Sequence, residues 1–409
     1  MPTKQPTAPR SHSLEGRNIV LGITGSIAAY KAADLASKLV QEGATVDVVM
    51  TASALEFVGA AMFTGLTHRP VTTGLFGAQS EIAIDHVALA VRAHAFVVAP
   101  ATANSIAKLA LGLADDPVGA TVLATTAPLI ICPAMDAHMY ENAATQRNIE
   151  TLRRRGAHIV EPAEGRLASG LTGQGRMEEP ARIVEHVRWV LGRGGDYAGK
   201  RVVVSAGGTQ EPIDPVRHVA NRSSGKMGYA LAAAARDRGA EVTLIAGPVS
   251  LPDPVGIEMT HVRTALQMRD AVVAASKTAD LLVMAAAVAD FRPVDAAAEK
   301  IKRAGRETIS LDLVKNPTII SEAQGPGLVK VAFAAETGDA ARKAREKSHY
   351  SSAAFIVAND VSETGSGFGS DTNRVTFVYP GGADEPMPLL DKLAVAHKVL
   401  DRAQKHLRK

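Results

Sequence analysis

The sequence predicts an α/β protein with two Rossmann-like domains, each built on a doubly wound parallel sheet. Segments 18–21 and 201–204, each a polar residue followed by three hydrophobic ones, indicate two buried strands, and each leads into a glycine turn and a helix. In both halves a Gly-Ala pair and a further strand follow, over residues 43–50 and 239–245. Strands that alternate with helices at this spacing are typical of parallel sheets. A length of 409 residues also exceeds what one hydrophobic core normally serves, which favours two domains.

The glycine-rich segment 191–196 is the predicted linker between the domains. It separates a first domain of residues 17–192 from a second domain of residues 196–409, and residues 1–16 are expected to form a disordered tail. Ligands of open parallel sheets bind beyond the carboxyl ends of the strands, so polar residues that directly follow a strand are the first site candidates. Further buried strands are expected at residues 95–99, 129–132, 281–285, 329–333 and 354–358.

Composition excludes several classes of function. Lys and Arg outnumber Asp and Glu by only 45 to 42, which leaves no basic surface of the kind that nucleic acid requires. No apolar run has the length of a membrane span and no apolar leader is recognised, so we expect a cytoplasmic enzyme. Cys132 is the single cysteine, which excludes an internal disulfide and a multi-cysteine metal site. Neither glycine turn has the G-x-G-x-x-G spacing, which argues against a nicotinamide-dependent oxidoreductase.

The turn after residues 201–204 is the most informative segment of the chain. Gly207 and Gly208 end the strand, and Gly225 and Gly228 open the next helix. Free backbone N–H groups and the helix dipole favour phosphate at such a turn. The loop between the glycines is rich in charged and amide side chains that an ordinary strand-to-helix connection does not require. Four further clusters follow predicted strand ends or turns, at residues 284–291, 300–302, 314–319 and 333–337.

Taken in order, these motifs make residues 199–379 similar to phosphopantothenate–cysteine ligase. That family activates the carboxylate of 4′-phosphopantothenate with CTP as an acyl-cytidylate, releases pyrophosphate and then joins L-cysteine to it. The resemblance implies that Asn221 stabilises the acyl-cytidylate, that Arg217 contacts anionic groups of the substrate, and that Lys300 and Lys347 hold the triphosphate. Mg²⁺ would be bound through the phosphates of CTP. The resemblance places Asp290 at the cytidine site, and Asp290 is also the one candidate protein ligand for Mg²⁺. The other residues that the resemblance assigns to CTP are Met284, Ala285, Ala286, Pro317, Thr318, Ile319, Ile320 and Phe333.

One position departs from the ligase pattern. Ser351 stands where the pattern has a second lysine, four residues after Lys347. One cation fewer on the triphosphate is expected to lower the affinity for CTP. Lys343 lies one helical turn before Lys347 and could compensate, because residues four apart share a helix face.

The first half resembles the homo-oligomeric flavin-containing cysteine decarboxylases, specifically phosphopantothenoylcysteine decarboxylase. The matching segments are residues 22–28, 51–54, 85–87, 100–104, 114–116, 133–135 and 168–177. The resemblance implies a bound FMN and makes His86 the essential base. The residues that it assigns to FMN are Gly25, Ser26 and Ser53 at the phosphate, and Ala101, Thr102, Ala103 and Asn104 at the flavin ring.

Two positions depart from the decarboxylase pattern. Asp136 replaces the asparagine that grips the substrate carboxylate, and an ionised Asp136 would repel that group. Ser169 replaces the cysteine that donates the proton for the final reduction, and a hydroxyl is a far weaker acid than a thiol. Either the reduction uses another donor, such as water or the histidine, or the first domain is impaired at that step.

Three hypotheses follow. The leading one is a bifunctional enzyme of coenzyme A synthesis that ligates cysteine to 4′-phosphopantothenate and decarboxylates the product to 4′-phosphopantetheine. The second keeps the ligase and makes the first domain a flavin-binding scaffold with altered chemistry, and the third is the nicotinamide-dependent oxidoreductase. The resemblance further implies a homo-oligomer, with decarboxylase trimers that carry FMN at subunit interfaces and ligase dimers, which together suggest a dodecamer.

Overall fold

The chain forms two compact units, His12–Leu191 and Gly192–Lys409. The computed structural model describes residues 13–75, 85–302, 307–363, 365–367 and 369–407, with residues 85 and 347–351 described by their backbone alone. Each unit has its own sheet and its own hydrophobic core. No helix in the described part of the chain combines the length and the apolar character that crossing a membrane demands.

The first unit is built on a six-stranded sheet. In chain order its elements are β1 (Asn18–Ile23), α1 (Ala29–Gln41), β2 (Thr45–Met50), α2 (Ala52–Leu55), α3 (Ala60–Thr67), β3 (Val71–Thr72), α4 (Asp85–Arg92), β4 (Ala95–Ala101), α5 (Ala103–Leu111), α6 (Pro117–Ala124), β5 (Leu129–Pro133), α7 (Ala137–Glu141), α8 (Ala143–Arg154), β6 (His158–Ile159), β7 (Ala163–Arg166), β8 (Thr172–Arg176) and α9 (Pro180–Gly192). The strand order is β3-β2-β1-β4-β5-β6, and every pairing in it is parallel. Helices α1 and α9 cover one face and α5 and α8 the other, while β7 and β8 form a separate hairpin.

The second unit repeats this plan with a larger sheet. Its elements are β9 (Arg201–Ala206), β10 (Gln210–Pro212), β11 (His218–Ala220), α10 (Lys226–Arg236), β12 (Glu241–Ala246), β13 (Glu258–His261), α11 (Ala265–Ser276), β14 (Leu281–Met284), β15 (Phe291–Pro293), β16 (Leu313–Lys315), α12 (Ile319–Glu322), β17 (Val329–Glu336), α13 (Ala340–Ser351), β18 (Phe355–Asp360), β19 (Thr372–Asn373), β20 (Val375–Val378), β21 (Glu385–Pro386), β22 (Leu390–Asp391) and α14 (Lys392–Gln404). The main sheet has the order β13-β12-β9-β14-β17-β18-β20-β21. The two antiparallel ribbons β10-β11 and β15-β16 lie outside that sheet and contact each other.

The predicted fold class of two Rossmann-like parallel-sheet domains is confirmed, with one addition at the edge of the second sheet. Strands β20 and β21 run antiparallel to their neighbours. Antiparallel edge strands on otherwise parallel sheets are common, because an edge strand can return through a short loop without a crossover helix. The hydrophobic pattern alone does not give the direction of a strand.

Part of the segment 1–16, the predicted disordered tail, is structured. Leu14 is only 2% exposed, and its N–H donates to the carbonyl of Glu42 at 2.9 Å. An apolar side chain within a polar leader can still be buried if a neighbouring helix end offers a hydrogen bond, and the end of α1 does so here. Residues 1–12 lie outside the described part of the chain.

Candidate active sites of the two units

Both sheets reverse their strand order between two central strands, and the predicted site residues follow those strands. In the first unit the reversal lies between β1 and β4, and in the second between β9 and β14. The crevice outside the carboxyl ends of such a pair is the usual ligand site in open α/β sheets. The loops at these two crevices therefore define the candidate sites.

A single buried hydroxyl joins the loops after β1 and β4. Thr24 is fully buried, and its Oγ1 donates to the carbonyl of Pro100 at 2.7 Å and accepts the N–H of Thr102 at 3.1 Å. Thr102 in turn caps α5 by accepting the N–H of Ser105 at 3.1 Å. The hydroxyl of Thr24 thereby fixes the predicted phosphate loop against the predicted flavin loop.

Gly25 forms the floor of the predicted phosphate cradle. A Cβ added at Gly25 would lie 2.5 Å from the Cβ of Ser53 and 2.9 Å from its carbonyl oxygen, so the two loops touch backbone to backbone. Ser26 turns the chain into α1, because its Oγ accepts the N–H of Ala28 at 3.2 Å. The structure thus brings Gly25, Ser26 and Ser53 together at the start of a helix, where an anion is favoured.

The four residues predicted at the flavin ring do not share one environment. Ala101 is fully buried in the core, and its carbonyl accepts the N–H of Ala134 at 2.9 Å. Thr102 and Ala103 are half-buried and Asn104 is exposed at the start of α5. The side chain of Ala101 therefore contributes to packing, and the surface available to a ring is formed by the next three residues.

The two departures from the decarboxylase pattern are in direct contact. The Ser169 hydroxyl donates to Oδ2 of Asp136 at 2.5 Å, while Oδ1 of Asp136 caps α7 by accepting the N–H of His138 at 3.2 Å. The Ser169 hydroxyl and then the His138 N–H hold the pKa of Asp136 below its ordinary value. Gly175 brings the β7-β8 hairpin onto this helix start, since a Cβ there would lie 2.3 Å from the carbonyl oxygen of Met135.

His86 stands apart from the other predicted residues of the first unit. It lies on α4 and lines a cavity of about 400 Å³ together with Leu75, Ala114, Ala120, Leu123 and Ala124. None of the other predicted site residues lines that cavity. Cys132 offers no substitute thiol, because it is buried within β5 and burial raises its pKa well above the ordinary value.

In the second unit, hydroxyl groups again join the loops of the two central strands. The Ala286 N–H donates to Oγ of Ser205 at 3.1 Å, and the Ala289 N–H donates to Oγ1 of Thr209 at 3.0 Å. The Ala287 N–H adds a hydrogen bond to the carbonyl of Gly207 at 2.8 Å. The predicted cytidine loop is therefore fixed against the glycine turn.

Two asparagines hold the same loop from other sides. Nδ2 of Asn221 donates to the carbonyl of Val288 at 2.9 Å, and Nδ2 of the buried Asn316 donates to the carbonyl of Ala289 at 2.8 Å. The Asn316 N–H also donates to the backbone carbonyl of Asp290 at 2.8 Å. Asp290 itself is exposed to solvent. Asn221 and Asp290 are thus brought to the same crevice.

The other predicted CTP residues divide between surface and core. Met284 is 8% exposed at the end of β14. It pairs with Ala332 of the neighbouring strand β17, and Phe333 is the next residue of β17. Pro317 is half-buried and Thr318 exposed, whereas the Ile319 and Ile320 side chains are buried in the core, so only their backbone could meet a ligand. Lys347 belongs to α13, but its side chain and that of Ser351 lie outside the described part of the chain.

The start of α10 retains the features of an anion site. Gly225 has a φ of 75° and no described side chain caps the first turn of the helix. A Cβ at Gly228 would lie 2.5 Å from the Cβ of Ala206, so the helix start is pressed onto the end of β9. Lys226 at this start donates to the carbonyl of Gly369 at 3.0 Å and pairs with Asp371 at 2.7 Å. The ammonium of Lys226 lowers the pKa of Asp371.

Sequence patterns missed the residues that connect these loops. Thr24, Ser205 and Thr209 are small, buried and unremarkable in sequence, yet each joins two strand ends. Their position beside a predicted glycine turn is the one sequence signal that could have indicated this joining role.

Comparison with known proteins gives matches to both halves. A family model described as Flavoprotein matches residues 7–192, and one described as the DNA/pantothenate metabolism flavoprotein C-terminal domain matches residues 197–407. The chain is 43% identical over 392 residues to the coenzyme A biosynthesis bifunctional protein CoaBC of Vibrio cholerae, covering 95% of this chain and 98% of the relative. It is 44% identical over 392 residues to the protein of the same name from Bacillus subtilis, covering 95% and 96%. A solved C-terminal domain of a protein with that name is 34% identical, with a TM-score of 0.43, and covers 51% of this chain and 95% of its own.

Proposed function

Because this chain belongs to the family of coenzyme A biosynthesis bifunctional proteins, we propose that it catalyses two successive reactions on 4′-phosphopantothenate. The second unit ligates L-cysteine to it with CTP, and the first unit decarboxylates the product to 4′-phosphopantetheine with FMN. The observation that carries the proposal is the presence of two glycine turns, each at the strand reversal of its own sheet, together with 43% identity over 95% of the chain. We assign residues 17–192 to the decarboxylase and 196–409 to the ligase.

In the first unit the residues fit FMN. The backbone contact at Gly25 leaves a shallow cradle at the start of α1, with the hydroxyls of Ser26 and Ser53 beside it, and Thr102 to Asn104 form the adjoining edge for the ring. FMN, when bound, supplies the reversible two-electron oxidation of the cysteinyl group that makes loss of CO₂ possible. His86 would accept and return a proton, and the β7-β8 hairpin would exclude water from the site.

In the second unit the side chains suit activation of a carboxylate. The substrate carboxylate attacks the α-phosphorus of CTP and pyrophosphate leaves. The amine of cysteine then attacks the acyl carbon and CMP leaves. Lys300 and Lys347 would neutralise the triphosphate, Asn221 would hold the acyl-cytidylate, and Arg217 would bind anionic groups of the substrate.

Mg²⁺ fits this site as an ion carried by the nucleotide. The described residues contain no cluster of three or more His, Cys, Asp or Glu that could hold a metal. Mg²⁺ is commonly held by substrate phosphates, several waters and one or two carboxylates, and the exposed Asp290 is the candidate carboxylate.

We further propose a cytoplasmic homo-oligomer in which each site is completed by a neighbour. Neither Gly25 nor Asp136 lines the cavity at His86, which suits a histidine that serves the flavin site of another subunit of a trimer. In the described second unit, every exposed large hydrophobic side chain lies at Val216 or between Phe291 and Val314, on and beside the two ribbons. Such a patch suits a dimer contact, and trimers joined through dimers would give the dodecamer.

Subunit complementation tests the trimer. Two inactive variants, His86→Asn and Gly25→Asp, are expected to regain part of the decarboxylase activity when coexpressed, because mixed trimers then contain some intact sites. Coexpressed chains that stay inactive in a mixed oligomer would place His86 in the site of its own subunit.

The decisive assay follows 4′-phosphopantothenate, L-cysteine, CTP and Mg²⁺ with the purified protein by mass spectrometry. Appearance of 4′-phosphopantetheine supports both activities. Accumulation of phosphopantothenoylcysteine would favour the alternative of a flavin-binding scaffold, for which the changes at Asp136 and Ser169 are the only argument. That alternative is not favoured, because the relatives that match the chain over nearly its whole length are named as bifunctional proteins.

A further inference from the structure

Asp214 is a buried carboxylate that uses both of its oxygens. Its side chain has no exposed surface. Oδ1 accepts the N–H groups of Val216 and Arg217, both at 2.8 Å. Oδ2 accepts the Arg217 guanidinium at 2.9 Å and the N–H of Ile301 at 3.2 Å. Burial alone would raise the pKa of Asp214, but these N–H groups and the Arg217 charge hold it below the ordinary value, so the carboxylate is ionised.

Arg217 completes a clamp around Ile301. The same guanidinium nitrogen that pairs with Asp214 also donates to the carbonyl of Ile301 at 3.1 Å. Both backbone polar groups of Ile301 are therefore held by this Asp214–Arg217 clamp, although the two sequence segments are 84 or more residues apart. The Ala297 N–H adds a hydrogen bond to the carbonyl of Ile213 at 2.9 Å.

The clamped residue lies between two lysines. Lys300 and Lys302 are exposed, and neither forms an ion pair within the described part of the chain. Their segment belongs to neither β15 nor β16 and has no regular secondary structure of its own. The clamp and the Ala297–Ile213 hydrogen bond are therefore the contacts that fix the backbone from which these two lysines extend.

We propose that Asp214 is a positioning residue of the ligase, which acts through the Ile301 peptide to hold Lys300 and Lys302 where the triphosphate of CTP binds. The inference rests on the proposed function of the second unit. Lysine side chains are flexible, so an anchored backbone removes part of the entropy that binding a polyanion would otherwise cost. The same clamp ties the Lys300 segment to the loop that carries Arg217 and leads to Asn221, so that nucleotide and substrate groups are aligned together.

The variant Asp214→Asn breaks the clamp selectively. The amide oxygen can still accept the two N–H groups of its own turn, but the new NH₂ group faces the Ile301 N–H and the Arg217 guanidinium, which are donors. We expect the KM for CTP to rise by about tenfold, the effect of losing one hydrogen bond to a charged group. At saturating CTP and 4′-phosphopantothenate we expect kcat to stay within roughly threefold of the wild type, because the groups that react are unchanged. Peptides that contain Ile301 should also exchange their amide hydrogens faster.

Glu211→Gln is the matched control. Glu211 is equally buried, at 1% exposure, and its Oε1 accepts the N–H of Ala265 at 2.9 Å, away from the Ile301 segment. This variant should leave the KM for CTP and the exchange at Ile301 unchanged. Decarboxylation of added phosphopantothenoylcysteine by the same samples reports on the first unit only, so thermal unfolding followed by circular dichroism checks that the second unit is folded in each variant. Should Asp214→Asn fail to fold, Ile301→Pro removes the clamped N–H while keeping the carboxylate.

The outcomes separate the clamp from the proposed function. A raised KM with faster exchange at Ile301 in Asp214→Asn alone supports the clamp. An unchanged KM, or an equal rise in Glu211→Gln, overturns it. A wild-type protein without CTP-dependent activity refutes the ligase itself, and the positioning role falls with it.

Discussion

Gly25→Ala tests the proposed FMN cradle without reference to catalysis. The added Cβ would lie 2.5 Å from the Cβ of Ser53 and 3.0 Å from its carbonyl carbon. Carbon atoms in contact normally stand about 3.5–4.0 Å apart, so the two loops must separate by roughly 1 Å. Overpacking of this kind typically costs about 1–3 kcal/mol, and here the displacement falls on the loops that would hold the phosphate.

We expect the affinity for FMN to fall by roughly five- to 150-fold, because each 1.4 kcal/mol is about a factor of ten in affinity. The assay is a titration of the flavin-free full-length protein with FMN, followed by flavin fluorescence. Gly65→Ala is the matched control, since Gly65 lies in α3 with nothing within 4 Å of an added Cβ.

Equal FMN affinity in Gly25→Ala, Gly65→Ala and the wild type would refute the reasoning. It would mean either that the loops separate at no cost or that the phosphate binds elsewhere. Loss of FMN from both variants would point to general damage to the first unit, and thermal unfolding of each variant distinguishes that case.

Two further changes have defined outcomes. Asp136→Asn removes a negative charge from the proposed carboxylate site while the amide oxygen can still accept the Ser169 hydroxyl, so kcat/KM for phosphopantothenoylcysteine should rise by roughly two- to fivefold. A decrease in steady-state decarboxylation would instead show that the charge of Asp136 is used. Burial first, and then the neighbouring Lys226, lower the pKa of Lys392 from 10.5 to about 8 in the folded chain. Between those values the folded chain releases a proton that the unfolded chain keeps, so raising the pH from 7 to 9.5 stabilises the folded state by about 2 kcal/mol if the full shift applies. Because Lys392 is partly exposed, solvent screening reduces this, and we expect a gain of about 1 kcal/mol for the wild type relative to Lys392→Met. Urea unfolding followed by circular dichroism measures the free energy of unfolding, and the fluorescence of the single tryptophan, Trp189, reports on the first unit alone. A difference in unfolding free energy between the wild type and Lys392→Met that does not change with pH would contradict the lowered pKa.

The sheets and glycine turns could be predicted because their signals are local. Continuous apolar runs mark the central strands, and the predicted run at residues 201–204 begins the observed β9 (Arg201–Ala206). The antiparallel direction of β20 could not be predicted, since a buried strand has the same apolar pattern whichever way it runs. The sequence also leaves open which glycines touch another loop. Gly25 touches the loop at Ser53 and Gly228 touches the end of β9, whereas an added Cβ at Gly65 meets nothing within 4 Å.

The candidate sites were predictable as sets of residue types and not as pairings. Asp136 and Ser169 each departed from a pattern, and treated separately they predicted repulsion of a carboxylate and loss of a proton donor. Their hydrogen bond spans 33 residues of sequence and couples the two changes. Asp214 and Ile301 are 87 residues apart, and no local signal links a turn to a loop so far along the chain.

The coupling of Asp136 and Ser169 bears on the last step of the proposed decarboxylation. The hydroxyl of Ser169 already donates to a carboxylate, and that hydrogen bond lowers the pKa of Asp136 further. At neutral pH the pair therefore holds one proton that belongs to a very weak acid and one carboxylate that carries none. Cys132 is buried with a raised pKa, so it does not fill the gap. We therefore propose that the proton for the final reduction comes from His86 or from water, the alternative being a first unit impaired at this step, while the Ser169–Asp136 pair joins the hairpin to the start of α7.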